Sequence, residues 1–368
     1  MPVRHVQDDS LGFPRMGTRA PLPALTPRRR TDPFVRAGQL AVARVRRRNP
    51  PPAPAVVRNL LAWQTFEAGE GPSEPSPRTR PLIFALTAVW NEEDVIWATT
   101  RNLLSQGADE VFVIDDGSSD STGGEARAAG ATVVEVEGSA TYSEADRSHR
   151  IRQFIDEQTR LAGGDVWWVV VDADEFPRGP DGATIRAFVE SQPPWVDTAG
   201  SRMLEHVPSS TSSYRWRTHP AASIPLAYWY TYPYCARAHH KHQLFRVRAA
   251  GDVIPSSGRH TITARDGRRV REASASLLVH HAPLRDRVET ENRLRAAAAG
   301  RYANSSAFPR ARLAYRLDAL DNLYASRFDL VRNELPGQRR RGLSLGDWRE
   351  LVPPSEQSLP DLGDLPKG

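Results

Sequence analysis

The sequence predicts an α/β fold with a single core around a mixed central sheet. From Pro81 onward, short apolar runs alternate with polar segments of helical periodicity, a pattern typical of βαβ units and a parallel sheet. Residues 166–171 (VWWVVV) form a continuous apolar run, as expected of a strand buried on both faces. Hydrophobic residues make up 39% and charged residues 25% of the chain, which is the composition of a globular protein.

The predicted elements alternate between strand and helix as far as Phe176. Strands are expected at residues 82–89, 110–114, 132–136 and 166–171. Helices are expected at residues 92–105, at residues 144–161, and between a Ser-Ser-Asp-Ser cap and residue 129. After Phe176 the pattern is irregular and aromatic, with strands expected near residues 198–204, 243–247 and 277–279. Two helical stretches, 285–299 and 311–324, follow.

Residues 1–80 differ from the rest of the chain in composition. They contain fourteen Arg and six acidic residues, a charge of +8, so the total of +5 leaves −3 for the remaining chain. Their Arg-rich and Pro-rich sequence predicts a disordered basic leader and linker without a packed core. Within it, residues 34–48 place apolar side chains among arginines, which is compatible with a basic helix at a membrane surface. A solvated basic tail is the alternative.

The cellular compartment is predicted from the scarcity of cysteine and of long apolar runs. A single cysteine, Cys235, excludes an internal disulfide framework and fits a reducing compartment. No apolar run approaches the roughly 20 residues needed to span a bilayer. We therefore expect a cytoplasmic protein, with membrane contact only peripheral and at the inner face of the membrane. We expect no nucleic-acid partner.

The strongest chemical signal follows the buried strand at residues 166–171. Asp172-Ala173-Asp174-Glu175 comes directly after it, and ligands of open α/β sheets bind beyond the carboxyl ends of strands. Carboxylates at positions i and i+2 can both reach one small hard cation, and Mg²⁺ or Mn²⁺ can in turn bridge a diphosphate. Alternatively, these acids only cap the next turn.

Polar side chains also follow the first two predicted strands. Asn91 and Glu92 come after the first strand, and Asp115 and Asp116 after the second. The carboxyl ends of parallel strands lie at one edge of the sheet, so these side chains are expected to share a crevice with Asp172. That convergence is what a nucleotide site requires, although Asn91 could instead cap the helix that follows it.

These motifs together resemble a known family. The run AVWNEEDVI, then VFVIDDGSSDST about twenty residues later, then VVVDADEF, is similar to the family 2 glycosyltransferases with the GT-A fold, a Rossmann-like nucleotide-diphospho-sugar transferase fold. The resemblance is greatest to the branch whose strand-four motif reads D-x-D-E-F. It covers Pro81 to Phe176 and becomes weaker afterwards.

The resemblance implies roles for the residues at the strand ends. It implies that Asp116, with Asp115 beside it, contacts the nucleobase or ribose, and that Asn91 and Glu92 line the nucleoside pocket. Asp172 would contact the ribose or the metal. Asp174 would bind a divalent cation, Mn²⁺ or Mg²⁺, under the diphosphate.

Further residues are assigned less directly. GT-A enzymes often complete the cation site with a late histidine, which His281 or His280 resembles. A guanidinium of Arg147 or Arg150 could grip a phosphate in bidentate fashion, or be only a surface charge. The Glu-Asp pair that many inverting family 2 enzymes carry in the acceptor half does not occur here. Glu205 is then the best-placed acid for a catalytic base, with Glu175 as the alternative.

The sequence thus predicts metal-assisted transfer from a nucleotide-diphosphate sugar to a saccharide or lipid-linked acceptor, with inversion as the habit of the family. The domains expected are a leader and linker (1–80), a GT-A domain with a nucleotide-binding half (81–176) and an acceptor half (177–300), a helical segment (301–335) and a flexible tail (336–368). The main alternative is a sugar-phosphate nucleotidyltransferase. Such an enzyme should carry a Gly-rich, Arg-containing loop after strand one, where this chain has Trp90-Asn91-Glu92-Glu93.

Overall fold

A computed structural model describes residues 80–136, 143–230, 241–296, 319–331 and 345–363. All of the described residues belong to one compact unit. The leader, with its candidate membrane helix, and Cys235 lie outside the described residues. Within the ranges given, no helix combines the length and the apolar character needed to cross a bilayer.

The described part of the chain is built around a ten-stranded mixed sheet, so the predicted fold class is confirmed. The strands of this sheet are β1 (Leu82–Val89), β2 (Glu110–Asp115), β3 (Thr132–Glu135), β4 (Val166–Val171), β5 (Glu175–Arg178), β6 (Thr198–His206), β7 (Leu226–Trp229), β8 (Lys241–Val247), β11 (Leu277–His281) and β12 (Gly346–Asp347). A separate hairpin pairs β9 (Val253–Pro255) with β10 (Ile262–Ala264).

The strand order separates a parallel half of the sheet from an antiparallel half. Along the main path the order is β12-β7-β6-β8-β4-β1-β2-β3, and β4, β1, β2 and β3 are parallel to one another. Strand β8 then runs antiparallel to β4, and β6 antiparallel to β8. Strand β11 lies between β6, to which it is parallel, and β5, to which it is antiparallel.

The first three helices and the helix at residues 287–296 follow the prediction with small changes at their ends, whereas the four short helices at residues 185–190, 220–223, 328–331 and 348–351 were not predicted. In chain order, the helices are α1 (Ile96–Ser105), α2 (Thr122–Ala128), α3 (Glu144–Leu161), α4 (Ile185–Glu190), α5 (Pro220–Ser223), α6 (Arg287–Ala296), α7 (Phe328–Val331) and α8 (Trp348–Leu351). Helix α1 begins four residues later than predicted, because Glu92 to Val95 form a turn in which the Val95 amide donates to the Glu92 carbonyl over 3.1 Å. Helix α3 has the predicted bounds.

Helix α3 covers one face of the parallel strands and fixes the position of the site described below. Its buried side chains Ile151, Phe154 and Ile155 pack against the core around Trp168, which has no exposed surface. The Trp168 indole also donates to the Thr159 hydroxyl over 2.9 Å, so its polar atom is satisfied inside the core. The part of this helix nearer its N-terminus therefore lies beside the carboxyl ends of the strands.

The region predicted to be a flexible tail contains a docked segment. Residues 345–363 are described, and the Trp348 side chain is completely buried, with its indole donating to the Ala221 carbonyl over 3.0 Å. Glu356 is also fully buried and pairs with Arg202 at 2.6 Å. A flexible tail was predicted, but this segment pairs β12 with β7 and is also held by the buried Trp348 and by the Glu356–Arg202 ion pair.

Candidate active site

Three adjacent parallel strands deliver the predicted polar residues to one edge of the sheet. Strand β1 lies between β2 and β4, with Val89 opposite Asp115 and Thr87 opposite Val171. The chain therefore leaves all three strands at nearly the same level, and the segments that carry Asn91, Asp116 and Asp172 begin side by side. The structure brings these segments together as the strand order requires.

Helix α3 provides two arginines that face two of the predicted carboxylates. Arg150 donates to Asp116 Oδ1 over 2.9 Å, and Arg147 donates to Asp172 Oδ1 over 2.9 Å. Each guanidinium is 17% exposed, so both pairs are partly shielded from water. The arginines suggested as phosphate ligands thus lie beside the carboxylates suggested as nucleoside ligands, not on the open surface.

Asn91 and Asp115 hold the loops of the site in shape. Asn91 has a φ of 54°, a conformation that Asn tolerates better than most residues, and its side-chain oxygen accepts from the Ser119 amide over 2.8 Å. Asp115 Oδ1 accepts from the Ser118 amide over 2.9 Å. These two side chains were expected to contact the nucleoside directly. In the structure the Asn91 bond joins the loop after β1 to the loop after β2, and the Asp115 bond holds the loop after β2 to the end of its own strand.

Glu92 points away from the expected nucleoside pocket and into a buried cluster of charges. Its carboxylate accepts from Arg285 and from Arg293, each over 2.7 Å, and Arg285 also makes two bonds to Asp94, of 2.7 and 2.8 Å. Burial raises the pKa of Glu92, and the charges of Arg293 and Arg285 oppose that effect. Burial would lower the pKa of Arg285, but Asp94 and Glu92 hold it well above its usual value.

Nothing in the amino-acid sequence indicated that Arg285 and Arg293 belong to this cluster. They belong to no recognisable motif, and in a chain whose cations are nearly all arginine two more carry no signal. Their positions become informative only through the fold, which places the start of α6 close to the loop after β1. Asp174 is near enough to both guanidinium groups for them to lower its pKa.

Asp172 is surrounded by three cations. Besides Arg147, the Lys241 ammonium donates to Asp172 Oδ2 over 3.0 Å, and a guanidinium nitrogen of Arg259 lies 3.2 Å from Oδ1. Burial alone would raise the pKa of Asp172, but Lys241, Arg259 and Arg147 hold it well below its usual value. The Arg259 side chain is only 5% exposed, and its backbone, like that of the preceding Gly258, has a positive φ, of 60°.

Glu175 is engaged entirely within the protein. Its side chain has no exposed surface, one oxygen accepts from Lys241, and the other accepts from the Asp172 amide over 3.0 Å and from Gln243 over 2.5 Å. A carboxylate in this position cannot reach an acceptor hydroxyl. The alternative choice of Glu175 as catalytic base is therefore wrong, and its role is to hold Lys241 and the backbone at Asp172.

Asp174, His281 and Glu205 form a line across three neighbouring chain segments. His281 Nε2 lies 3.6 Å from Asp174 Oδ1, and His281 Nδ1 lies 2.5 Å from Glu205 Oε2. Burial would lower the pKa of His281, but Glu205 and Asp174 raise it well above its usual value. Burial would raise the pKa of Asp174, and the charge of His281 is the main effect that lowers it.

His280 lies on the opposite face of β11 from His281, as alternation along a strand requires. Its Nδ1 is 2.9 Å from His206 Nε2, and its ring packs edge-on against Trp348 with a centroid separation of 4.7 Å. Burial, together with His206, His219 and Arg178, lowers the pKa of His280 well below its usual value. The choice of His280 as a metal ligand is wrong, because its ring faces the core beside the C-terminal segment.

The donor atoms that fit a divalent cation are Asp174 Oδ1 and His281 Nε2. Neighbouring ligands of an octahedral ion with bonds of 2.0–2.1 Å are about 3 Å apart, so these two atoms, which are 3.6 Å apart, would have to approach by roughly 0.6 Å to share one ion. Within the described ranges, no group of three or more His, Cys, Asp or Glu side chains could hold a metal ion. Two protein ligands still suffice where substrate phosphates and water complete the shell, as is usual for Mg²⁺.

The sequence of this region matches a known enzyme family. Residues 85–181 match the sequence model of glycosyl transferase family 2, a range that begins within β1, extends past β5 and includes all three strand-end motifs. The resemblance to family 2 is thereby confirmed for this part of the chain, and the mixed sheet agrees with the GT-A fold; the branch with D-x-D-E-F stays a prediction. No curated protein matches the chain.

Several solved structures share part of this architecture at low similarity. A mycobacterial protein is 20% identical, with a TM-score of 0.24 over 34% of this chain and 42% of that chain. Glucosyl-3-phosphoglycerate synthase from Mycobacterium tuberculosis, in complex with phosphoglyceric acid, is 18% identical with a TM-score of 0.24 over 33% and 44%. The same enzyme with Mn²⁺, uridine diphosphate and glucosyl-3-phosphoglycerate is 16% identical, with a TM-score of 0.24 over 42% and 50%. The chain spans half or less of these structures, and such distant likeness assigns it no ligand.

Proposed function

We propose that this chain, which contains a family 2-like glycosyltransferase domain of the GT-A fold, transfers a sugar from a nucleotide-diphosphate sugar to an acceptor hydroxyl with the help of a divalent cation. The observation that carries the proposal is the placement of Asp116, Asp172 and Asp174 on one sheet edge, with His281 beside Asp174. An edge with separate anionic and cationic subsites suits a ligand that has both a nucleoside and a diphosphate.

The nucleoside end of the donor is assigned to the pocket beside Asp116. A carboxylate accepts charge-assisted hydrogen bonds from base N–H groups and ribose hydroxyls. Arg150 fixes the orientation of Asp116 through its 2.9 Å bond, and Arg147 does the same for Asp172. Because both carboxylates are held by a helix that is itself packed on the core, the site is organised before the donor binds.

The diphosphate is assigned to the space between Asp172 and Asp174. Lys241, Arg147 and Arg259 are close enough to bind phosphate oxygens from the Asp172 side. Asp174 and His281 would hold Mn²⁺ or Mg²⁺ on the other side. When bound, the cation would neutralise the negative charge that develops on the diphosphate leaving group, which is the largest electrostatic demand of the reaction.

The acceptor is proposed to be a saccharide or a lipid-linked saccharide, with inversion at the anomeric carbon. The support is the family alone.

If the leader contacts membranes, deleting residues 1–70 should weaken binding to vesicles that contain anionic lipid and leave binding to neutral vesicles unchanged. Equal binding by the full and shortened chains would favour a plain basic tail.

The test is thermal stabilisation by UDP-, GDP- and TDP-sugars, each with and without Mn²⁺. We expect a metal-dependent increase in the melting temperature with at least one of them, because a ligand that binds only the folded protein stabilises it. The proposal would be contradicted if none of these sugar nucleotides raised the melting temperature in a metal-dependent way. Release of pyrophosphate from a nucleoside triphosphate and a sugar phosphate would support the alternative, a nucleotidyltransferase, although the Gly-free loop after β1 disfavours it.

Replacement of one metal-site residue localises the effect. Asp174→Asn should remove the Mn²⁺-dependent part of the stabilisation and leave the folded protein intact. Asp266→Asn is the matched control, because Asp266 is an aspartate in the turn after β10, with a side chain 67% exposed. Full metal-dependent stabilisation of the Asp174→Asn variant would remove Asp174 from the set of ligands.

A further inference from the structure

The fold places a buried carboxylate behind the histidine of the candidate metal site. His281 and Glu205 are opposite one another on the parallel strands β11 and β6, so their side chains lie on the same face of the sheet. On the other side of β11, His281 is opposite Glu175 of β5, the residue that follows Asp174. The His281 ring therefore lies between Asp174 and Glu205.

The two nitrogens of this ring have different surroundings. Nδ1 is 2.5 Å from Glu205 Oε2, and the Glu205 side chain is only 7% exposed. Nε2 faces Asp174 Oδ1 at 3.6 Å, at the edge of the sheet where the strand-end carboxylates meet. A carboxylate that accepts a hydrogen bond from Nδ1–H fixes the tautomer of the ring. The lone pair of the neutral imidazole then lies on Nε2 and is directed towards a cation.

His280 shows what the same strand looks like without such a carboxylate. Its Nδ1 bonds to His206, the neighbour of Glu205 on β6, and not to an acid. The register of β11 and β6 thus sets a His–Glu pair on the face of the site and a His–His pair on the face of the core. Of these two histidines, the one with an acidic partner, His281, is also the one whose ring faces a second carboxylate.

We propose that Glu205 is a positioning residue that orients His281 as a ligand of the catalytic cation. The inference rests on the proposed function, since it assumes that the enzyme uses the cation at Asp174 and His281. It replaces the catalytic-base role expected for Glu205 from the sequence. Oε2 of Glu205 is already bonded to His281, which leaves only Oε1 to accept a proton from an acceptor hydroxyl.

The experiment measures Mn²⁺ affinity by electron paramagnetic resonance, with saturating UDP or with GDP if the wild type binds that nucleotide. Glu205→Gln should weaken Mn²⁺ binding roughly 10- to 100-fold, the usual effect of losing the partner of a metal-bound histidine. UDP binding without metal should be unchanged. In the His281→Ala background, Glu205→Gln should have no additional effect on Mn²⁺ affinity, because both substitutions act on one contact.

Glu356→Gln is the matched control. Glu356 is another fully buried carboxylate with a cationic partner, and it contacts Arg202, not His281. Its replacement should leave Mn²⁺ affinity unchanged. If Glu205→Gln does not fold, Glu205→Asp keeps the charge but shortens the side chain, and a smaller loss of Mn²⁺ affinity is expected from it.

The outcomes separate this inference from the function on which it rests. A wild type that does not bind Mn²⁺ with any nucleotide would overturn both. A wild type that binds Mn²⁺, with unchanged affinity in Glu205→Gln and a reduced kcat, would overturn the positioning role and restore Glu205 as a candidate base. Additive losses from Glu205→Gln and His281→Ala would also contradict it, since independent effects do not arise from one contact.

Discussion

At the scale of single residues, the site is a set of carboxylates whose partners differ, and each partner sets a different role. Asp116 has Arg150, Asp172 has three cations, Asp174 faces a histidine, and Glu175 is enclosed. Sequence spacing placed these acids at one sheet edge but could not distinguish them. The distinction depends on contacts between residues far apart in the chain.

Asp116→Asn should weaken nucleotide binding equally with and without Mn²⁺. The substitution removes the anionic acceptor proposed for the nucleoside and leaves the Arg150 guanidinium without its partner. Hydrogen bonds to charged groups contribute about 1.5–3 kcal/mol, which corresponds to roughly a ten- to hundredfold increase in Kd. Isothermal titration with UDP and GDP measures it. A loss confined to the Mn²⁺-containing titration would instead place Asp116 at the metal.

Glu92→Gln should destabilise the folded protein more than it affects donor binding. Arg285 is 2% exposed as a side chain, so removing one of its two acidic partners leaves part of a buried charge uncompensated. Because Asp94 remains bonded to Arg285, we expect a loss of about 1–3 kcal/mol in the free energy of unfolding, measured by urea denaturation.

The control for this substitution is Glu125→Gln. Glu125 also pairs with an arginine, but the Arg217 side chain is 55% exposed, and such surface pairs contribute little. Equal losses of stability in the two variants would show that the Glu92–Arg285 pair of the buried cluster contributes no more to the free energy of unfolding than the more exposed Glu125–Arg217 pair.

At the scale of elements, the parallel half of the fold was predictable and the antiparallel half much less so. Strands β1 and β4 were predicted with the bounds they have, because buried parallel strands are continuous apolar runs between polar helices. Strand β5 and helix α4 were not predicted. Both are short, and β5 pairs with β11, which lies about a hundred residues away in the chain and beyond the reach of local patterns.

The same limit explains which site residues were found. Asp116, Asp172 and Asp174 follow strands that the sequence reveals. The pairing of Lys241 with Asp172, and of Glu205 with His281, depends on the register of β8 against β4 and of β6 against β11. A register between distant strands has no signature in a single sequence. The contacts of Lys241 with Asp172 and of Glu205 with His281 could therefore not be predicted.

Trp348→Ala should show that the C-terminal segment is part of the folded domain. The indole is completely buried beside Ala221 and His280, and deleting a buried tryptophan side chain typically costs about 3–5 kcal/mol. Trp195→Ala is the control, since Trp195 is 52% exposed. Urea denaturation of both variants measures the difference. A loss no larger for Trp348 than for Trp195 would mean that the segment contributes little to stability.

At the scale of the whole molecule, buried histidines make stability depend on pH. Burial lowers the pKa of His206 from 6.5 to about 4 and that of His219 from 6.5 to about 3. In the unfolded chain both rings take up a proton near pH 6.5, whereas in the folded protein they stay neutral to much lower pH. The unfolded state therefore binds more protons between pH 6.5 and the folded pKa values, so acidification favours unfolding.

The free energy of unfolding should fall as the pH is lowered from about 6.5 towards 4. Each of the two histidines contributes a slope that approaches about 1.4 kcal/mol per pH unit once its ring is protonated in the unfolded chain. His219→Asn tests this directly. Asn can still accept the hydrogen bond that His219 receives from the Ala221 amide over 3.2 Å, but it does not titrate. His280, whose pKa is also lowered by burial, contributes to the slope as well, so the variant should lose one of three contributions and keep those of His206 and His280.

The comparison is made on the slope and not on the absolute stability, because a smaller side chain also leaves a cavity that costs the same free energy at every pH. His149→Asn is the control, since His149 is exposed on α3 and should leave the slope unchanged. Urea denaturation at half-unit intervals from pH 7 to pH 4 gives both slopes. Asp172 and Asp174 have lowered pKa values, so their contribution is lost only below about pH 4 and does not fall in this window. A slope in His219→Asn equal to that of the wild type would mean that His219 is not kept neutral by the fold.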